Sequence, residues 1–330
     1  MTNTVYTYGC SVTQHIWPTW ADIVLHSAII SGYSGFNAGM SGTGNTGIKR
    51  SVIQTHEKYG ITEGDLVLVM WTSWLREDRL TFLDTHTDPR KKKQSEYPMF
   101  TRCGNVLNTP FYNVNFINDY FNVEHYIINS ISEITTIRKA VDLCFEGHIS
   151  VDEGFKQAHE KNLVDSTSAT STYATFISDL GLPNQFRLML DGEGKHRARE
   201  TYSQYNVYYD CDGHPVPQHA LDYVLTTVAP NLPFDILPET IEWVELWNKR
   251  MLAELEYYSS DNPGTEVLVH RMRSHREQWT LKFHNMLIAE QQAMGIRTSP
   301  DLWGGTNEYK DSVDTNAMLK QFIRSNKFLG

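Results

Sequence analysis

Short apolar runs alternate with segments of helical periodicity in the N-terminal part of the chain. Residues 5–8 are β-forming, and residues 66–71 are apolar at every position, which is typical of a central strand in a covered parallel sheet. Between them, apolar residues at intervals of three and four predict one helix over Trp17–Ser27, with Pro18 in its first turn, and another from Ile48 to Gly60. This order of strand, helix, turn, helix and strand predicts a doubly wound α/β domain.

The next segment is irregular before it becomes helical. From Thr81 to Pro110 the residues are mostly polar and show no periodicity, so we expect a long loop over the carboxyl edge of the sheet. Apolar residues at helical spacing predict a long helix over Asp119–Cys144. Further patterns predict a helix over Val151–Leu163, a low-complexity linker over Ser166–Thr172, and strands over Phe186–Leu190 and Asn206–Tyr209.

The C-terminal part of the chain is predicted to be helical. A helix over Pro217–Val228 is followed by a proline-rich boundary. Beyond it the pattern predicts helices over Glu239–Tyr258 and Glu266–Gly295, with a short one near Asn316–Ile323. We therefore divide the chain into a domain of residues 1–230, with an insertion over residues 81–180, and a helical extension of residues 231–330.

Composition and charge exclude some classes of partner. The net charge is −10, and nucleic-acid backbones are bound by clustered lysine and arginine. The basic run Arg90–Lys93 is flanked by acidic residues and is expected to be a solvated loop, so no nucleic-acid partner is predicted. No apolar stretch approaches the roughly 20 residues that span a bilayer, and we expect no membrane partner.

The N-terminus and the cysteines bear on compartment and metal binding. Residues 1–4 are not a positive region followed by an apolar run, so no signal peptide is predicted and the cytoplasm is the expected compartment. The four cysteines show no Cys-x-x-Cys spacing. We therefore expect reduced thiols and neither a zinc site nor a cofactor.

Candidate chemistry begins where the first apolar run ends, at Gly9, Cys10 and Ser11. A nucleophile at the carboxyl end of a strand lies where open α/β sheets bind their ligands, although a serine here could instead cap the next helix. The glycine-rich turn Gly35–Thr46 has the spacing of a phosphate-binding loop, but Asn45 stands where that loop needs lysine. We expect its backbone N–H groups to face an anion or a developing oxyanion instead.

These features form four blocks, whose order and approximate spacing over residues 5–228 resemble the SGNH (GDSL-type) hydrolase superfamily. The blocks are Gly9–Ser11, Asn37–Gly42, Trp71–Trp74 and Asp212–Pro215. The resemblance implies a three-layer α/β/α, flavodoxin-like fold with a central parallel sheet, to which this chain adds a helical insertion and a helical C-terminal extension.

The resemblance also implies roles for individual residues. Ser11 is the expected nucleophile, and His214 the base that takes its proton and returns it to the leaving group. An aspartate is expected to hold the histidine tautomer. The backbone N–H groups of Ser11 and Gly42 are expected to face the oxyanion.

The sequence departs from the superfamily at two of these positions. The aspartate usually stands three residues before the histidine, where this chain has Cys211. We favour Asp212 as the acid, with Asp210 as the alternative and the Cys211 thiol as the third choice. In the third block, Ser73 occupies the place of the usual asparagine, and its hydroxyl or that of Thr72 is the expected substitute donor to the oxyanion.

The predicted function is hydrolysis of an O-acyl ester, such as an O-acetyl group on a carbohydrate. Trp74 is expected to stack on the sugar and Arg76 to contact a substrate carboxylate. The extra helical mass and the Asn-, Tyr- and Trp-rich composition resemble viral members of the superfamily, such as phage proteins, and for a viral member the host cytoplasm or the virion is the expected location. The alternative is a catalytically weakened scaffold for binding or virion assembly, with homo-oligomer or virion contacts made through the C-terminal helices.

Overall fold

The centre of the molecule is a five-stranded sheet in which every neighbouring pair of strands is parallel. The computed structural model describes residues 2–84, 93–106, 115, 119–149, 200–261 and 263–298. Its strands are β1 (Thr4–Tyr8), β2 (Ser34–Asn37), β3 (Leu66–Trp71), β4 (Arg76–Asp84), β5 (Lys93–Asn105), β6 (Phe145–His148) and β7 (Arg297–Thr298). The order across the central sheet is β6-β3-β1-β2-β7, while β4 and β5 form an antiparallel hairpin.

Eight α-helices lie in the described part of the chain. They are α1 (Trp20–Ile30), α2 (Asn45–Tyr59), α3 (Val123–Ala140), α4 (Asn206–Cys211), α5 (Pro217–Tyr223), α6 (Pro238–Tyr258), α7 (Thr265–Ser274) and α8 (Arg276–Ala293). A π-helical segment, Val224–Val228, continues α5. No helix among these residues combines the length and the apolar character that crossing a membrane requires.

Both faces of the central sheet are buried, because alternate residues of each strand point to opposite sides. In β3, Leu68 and Met70 pack in a core with residues of α1 and α5. The intervening Val67 and Val69 pack on the other side, in a core with residues of α2 and α3. The continuous apolar run of β3 follows from this two-sided burial, as the sequence predicted.

A further aromatic core joins the C-terminal helices to the start of the chain. Trp17, from the loop between β1 and α1, packs with Trp279 at 6.3 Å between ring centroids. Most of the other members come from α4, α6, α7 and α8 and include Tyr208, Trp247, Met251, Met272 and Phe283. Residues 231–298 therefore contact the N-terminal part of the chain closely, and β7 adds a strand to its sheet. The division at residue 230 stays a prediction.

Several predicted elements are confirmed, with small shifts of their ends. They are the strands at residues 5–8 and 66–71, the helix from Ile48 to Gly60, and the helices within Asp119–Cys144, Pro217–Val228 and Glu239–Tyr258. Gly60 ends α2 in the left-handed conformation, at φ 70°. The first helix begins at Trp20 and not at Trp17, because Thr19 is its N-cap and Asp22 accepts the Thr19 N–H at 2.9 Å. Pro18 therefore lies outside the helix.

Other predictions are wrong. The expected loop over Thr81–Pro110 contains most of the β4–β5 hairpin, whose ladder of backbone hydrogen bonds needs no apolar alternation. The expected strand Asn206–Tyr209 is helix α4, because its aromatic side chains pack into the core around Trp279. The expected helix Glu266–Gly295 is divided into α7 and α8 at His275.

Three short strands were not predicted. Ser34–Asn37 was assigned to a turn, Phe145–His148 follows the helix expected to end at Cys144, and Arg297–Thr298 follows the helix expected to end at Gly295. The features predicted over Val151–Leu163, Ser166–Thr172, Phe186–Leu190 and Asn316–Ile323 lie outside the described residues.

Candidate functional site

The turn after β1 holds Ser11 at the carboxyl end of the strand. The Cys10 carbonyl accepts the N–H groups of Thr13 at 2.9 Å and Gln14 at 3.1 Å, which closes the turn around Ser11. A Cβ atom on Gly9 would lie 2.0 Å from Thr13 Oγ1, so the turn requires glycine there. Ser11 is 4% exposed. Most of the Ser11 surface is therefore shielded from bulk solvent.

Asn37 ties the second block to the turn after β1. Its amide nitrogen donates to the Thr13 carbonyl at 3.1 Å and to Asp22 Oδ1 at 3.0 Å, while its Oδ1 accepts the Gly39 N–H at 3.0 Å. The Met40 N–H donates to the Gly9 carbonyl at 2.9 Å. The first two blocks thus form one buried hydrogen-bonded unit. Asp22, a member that the sequence analysis did not single out, is fully buried.

Asp78 of β4 holds the end of the glycine-rich turn. Its Oδ2 accepts the N–H of Gly44 at 2.7 Å and of Gly47 at 2.9 Å, at the N-terminus of α2. A carboxylate at this end of a helix is favoured by the free N–H groups and by the helix dipole. The Gly44 N–H, which belongs to the turn that was expected to face an anion, is therefore already bonded to a side chain. Gly42, at φ 80°, lies in the left-handed region just before Gly44.

Asn45 joins the glycine-rich turn to the end of β3. Its side chain accepts the Thr72 N–H at 2.9 Å and donates to the Thr72 carbonyl at 3.1 Å, which occupies both ends of the amide. Ser73 Oγ accepts the Leu75 N–H at 3.2 Å within its own turn. The Ser73 hydroxyl can therefore still donate its own proton. The Asn45 side chain, in contrast, has a structural role.

Asp212 and His214 lie in the loop between α4 and α5. The Nδ1 atom of His214 is 2.5 Å from Asp212 Oδ1, and Gly213, at φ 81°, allows the bend between them. Asp212 is thus the acid that contacts this histidine. Of the two alternatives, Cys211 Sγ points to the Val269 carbonyl at 3.8 Å. Since Nδ1 is engaged with the acid, Nε2 is the ring nitrogen left for a substrate or a nucleophile.

His15 is the site residue that the sequence analysis missed. Its Nε2 lies 2.9 Å from the same Asp212 Oδ1, although the angle does not make a regular hydrogen bond, and its ring stacks on His214 at 4.0 Å between centroids. Burial lowers the pKa of His15 to about 4, against the opposing effect of Asp212. His15 is therefore neutral at pH 7. The spacing between His15 and Asp212 in the sequence gave no signal of this contact.

The charge of Asp212 is fixed by its neighbours. Burial alone would raise the pKa of Asp212, but the contacts with His15 and His214 hold it well below the usual range of a carboxyl group. Arg276, at the start of α8, places Nη2 2.6 Å from Asp212 Oδ2. Asp212 is 3% exposed and ionised, with partners on both oxygens.

Ser11 and His214 line the same small cavity, which is partly open to solvent. The remaining lining residues are Val12, His15, Thr19, Trp20, Pro215 and Ala220. Gly42, Ser73, Trp74 and Arg76 do not line it, and Trp74 is only 4% exposed. Among the described residues, no hydrogen bond joins Ser11 Oγ to the His214 ring.

The structure therefore assembles part of the predicted site and leaves part of it dispersed. The acid–histidine pair and the serine are gathered at the carboxyl end of the sheet, where parallel α/β sheets bind ligands. The one group of described residues whose side chains could together hold a metal ion is His15, Asp212 and His214, with ligand atoms within 4.8 Å of one another. No family model, curated protein or solved structure matches the chain.

Proposed function

We propose that the protein is a serine ester hydrolase of the SGNH type, with Ser11 as nucleophile, His214 as base and Asp212 as acid. The observation that carries the proposal is the Asp212–His214 contact of 2.5 Å at Nδ1, on a ring that shares a cavity with Ser11. A histidine held at Nδ1 by a buried carboxylate keeps Nε2 as a proton acceptor. The α/β fold with a parallel sheet is compatible with the three-layer flavodoxin-like architecture of that superfamily.

The reaction proceeds by acyl transfer in two halves. His214 Nε2 takes the Ser11 hydroxyl proton while Oγ bonds to the ester carbonyl carbon, and the ionised Asp212 stabilises the resulting imidazolium. The imidazolium then protonates the departing alcohol, which leaves an acyl-Ser11. In the second half, water gives its proton to His214 and attacks the acyl carbon. The carboxylic acid departs, and Ser11 recovers its proton.

The proposed oxyanion donors are the N–H groups of Ser11 and Gly42 together with the hydroxyl of Ser73 or Thr72. The Ser73 oxygen accepts from Leu75, which limits the rotation that would otherwise make a hydroxyl a poorly ordered donor. Gly42 and Ser73 enter the proposal through the superfamily resemblance, since neither lines the cavity beside Ser11.

The proposed substrate is a short O-acyl ester on a carbohydrate. The cavity beside Ser11 is small, and Val12, Trp20 and Ala220 give it an apolar wall that suits an acetyl group. Trp74 and Arg76 remain the proposed contacts for the sugar and for a substrate carboxylate.

The test is covalent labelling combined with hydrolysis of p-nitrophenyl acetate. Wild type is expected to react with a fluorophosphonate probe at Ser11, and Ser11→Ala is expected to lose both labelling and hydrolysis. Ser31→Ala, which removes an exposed serine at the end of α1, is the matched control and should behave as wild type. Equal hydrolysis by Ser11→Ala and wild type, or an absence of labelling in both, would overturn the proposal.

The second candidate is a non-catalytic scaffold that binds a ligand or takes part in virion assembly. The observations that favour it are the missing Ser11–His214 hydrogen bond among the described residues and the position of Gly42 and Ser73 outside the cavity. Under this alternative, a carbohydrate ester binds without turnover, and Ser11→Ala leaves its affinity unchanged. Probe labelling of Ser11 would exclude it.

A further inference from the structure

Three potential metal ligands converge from two loops that are distant in the sequence. His15 follows β1, whereas Asp212 and His214 follow α4. His15 Nε2 and His214 Nδ1 lie 2.9 Å and 2.5 Å from the same oxygen, Asp212 Oδ1. The His15 side chain is 10% exposed, and its Nε2 contacts this oxygen at an angle that does not make a regular hydrogen bond. Two imidazole nitrogens crowded on one buried carboxylate oxygen form a cluster that a metal ion could complete.

We propose that His15, Asp212 and His214 form a binding site for a divalent transition-metal ion of the zinc type. Two imidazoles and one carboxylate are a ligand set that zinc accepts, and three protein ligands leave a fourth position for water. Metal binding at these three residues does not depend on ester hydrolysis.

The distances require a small adjustment, and the two imidazole rings, which stack with 23° between their planes, must also turn toward one ion. Donors bound tetrahedrally at about 2.0–2.1 Å from zinc lie roughly 3.3 Å apart. The contacts of 2.5 Å and 2.9 Å must therefore each lengthen by less than about an ångström. The loop that carries Asp212 and His214 contains Gly213, whose left-handed backbone at φ 81° marks a local turn rather than a regular element.

Arg276 contacts the second oxygen of Asp212 and so affects the affinity of the site for a metal ion. Its guanidinium contacts Oδ2, so Oδ1 is the oxygen that faces the two histidines. A hydrogen bond to the outer oxygen orients a ligating carboxylate, but the positive charge also repels a cation. The Arg276 side chain is 52% exposed, so water screens this repulsion. We therefore expect reversible binding rather than the affinity of a structural zinc site.

A bound ion would also switch off the proposed ester hydrolysis, and this part of the inference rests on the proposed function. The metal takes the lone pair of His214 Nδ1, so the ring proton resides on Nε2. Nε2 then cannot accept the proton of Ser11, and acyl transfer stops. His214 Nδ1 would thus carry either the proton that the catalytic tautomer requires or an inhibitory metal ion.

The experiment is a titration of the full chain, stripped with a chelator, with zinc chloride by calorimetry and with cobalt(II) by visible spectroscopy. We expect one ion per chain and a tetrahedral cobalt spectrum without thiolate bands. His15→Gln, whose amide can still reach Asp212, should bind zinc at least tenfold more weakly. His284→Ala, which removes an exposed histidine of α8, is the matched control and should bind as wild type. Asp212→Asn tests the same site from the other loop if His15→Gln does not fold.

The outcomes separate the metal site from the proposed hydrolase. Saturable binding that is lost in His15→Gln supports the site even if no ester is hydrolysed, in which case only the proposed function fails. No saturable binding by wild type, or equal binding by His15→Gln, overturns the site. If zinc binds but does not slow fluorophosphonate labelling of a reactive Ser11, the inhibitory role is overturned and the binding site stands.

Discussion

Arg276 forms an ion pair with Asp212, with Nη2 2.6 Å from Oδ2, and so joins the helix that begins at Arg276 to the acid beside His214. The C-terminal segment therefore supplies Arg276 to the candidate site and also contributes most of the aromatic core around Trp279. Asp212 is 3% exposed, and a buried carboxylate needs partners on both oxygens. In the proposed enzyme, Arg276 would hold this acid in the orientation that His214 requires.

Replacement of Arg276 by alanine is expected to lower kcat for p-nitrophenyl acetate. Losing this half-exposed pair costs about 1 kcal/mol of transition-state stabilisation, or roughly fivefold in rate, because Asp212 holds the His214 ring less firmly. KM should change little, since Arg276 does not line the cavity. Steady-state kinetics of Arg276→Ala and Arg276→Lys measure the effect.

The matched control for Arg276 is Arg271→Ala. Arg271 pairs with Asp261 at 2.5 Å on the surface, away from Asp212, and its loss should leave kcat unchanged. An Arg276→Ala enzyme with the kcat of wild type would contradict a positioning role for this arginine.

Gln291 is expected to stabilise the fold through Asp22. Its amide donates to Asp22 Oδ1 at 2.8 Å, and both side chains are buried. Gln291→Leu removes one donor from a buried carboxylate and should lower the free energy of unfolding by about 1–3 kcal/mol. Urea unfolding followed by tryptophan fluorescence measures the change. Gln292→Leu, at the exposed neighbouring position, should unfold as wild type does, and equal stability of the two variants would contradict the prediction.

The sequence predicted the parts of the fold in which a local pattern and burial agree. Leu66–Trp71 is apolar throughout because both of its faces are covered, and α2 combines helical spacing with a C-terminal glycine. In contrast, β2 and β6 have four residues each, which is too short for a periodicity to be recognised. Helix α4 has β-forming residues, but the packing of Tyr208 against Trp279 and Phe283 overrides that propensity.

The candidate site shows the same limit. The pairing of Asp212 with His214 could be predicted because the residues are neighbours in one short loop. His15 could not, since its contact with Asp212 depends on how the loop after β1 packs against the one after α4. Asn45 was considered only as a departure from a phosphate-binding loop. Its hydrogen bonds to the Thr72 backbone arise from the tertiary fold alone.

His148 is expected to make the protein sensitive to acid. Its side chain is buried, and among the described residues neither ring nitrogen has a hydrogen-bond partner; Nε2 lies 3.7 Å from Glu146 Oε1. Burial, with a smaller effect of Arg138, lowers the pKa of His148 to about 3. Between the unfolded value of about 6.5 and this folded value, the unfolded chain binds more protons. The contribution of the neutral His148 to stability is therefore fully present above pH 6.5 and is lost as the pH falls toward 3.

His148→Leu should remove this part of the pH dependence. The free energy of unfolding is measured with urea between pH 7.5 and 4.5. The slope of this free energy against pH should be smaller than in wild type by up to about 1.4 kcal/mol per pH unit. A slope remains, because the pKa values of His15 and His219 are also lowered by burial, each to about 4. His56→Leu, an exposed position on α2, is the control. Parallel pH profiles for His148→Leu and wild type would refute the assignment.

Gly9→Ala tests whether the turn around Ser11 is as tightly packed as its geometry indicates. The added Cβ would meet Thr13 Oγ1 at 2.0 Å and the Met70 carbonyl at 3.0 Å, and a β-branched threonine cannot simply rotate away. We expect a loss of about 1–3 kcal/mol in stability. If the turn relaxes by about an ångström, fluorophosphonate labelling of Ser11 should slow by roughly 10²-fold.

Two further variants assign the Gly9→Ala effect to this contact. Gly264→Ala introduces a Cβ with no neighbour within 4 Å and should leave the labelling rate unchanged, with a loss of about 1 kcal/mol in stability because Gly264 is the N-cap of α7. Thr13→Ala added to Gly9→Ala removes Oγ1, the atom nearest to the new Cβ, and should restore part of the labelling rate. Restoration should stay incomplete, because the Met70 carbonyl and the residue 13 Cβ still lie 3.0 Å away. A double variant no faster than Gly9→Ala would mean that the loss comes from the strand backbone and not from crowding by Thr13.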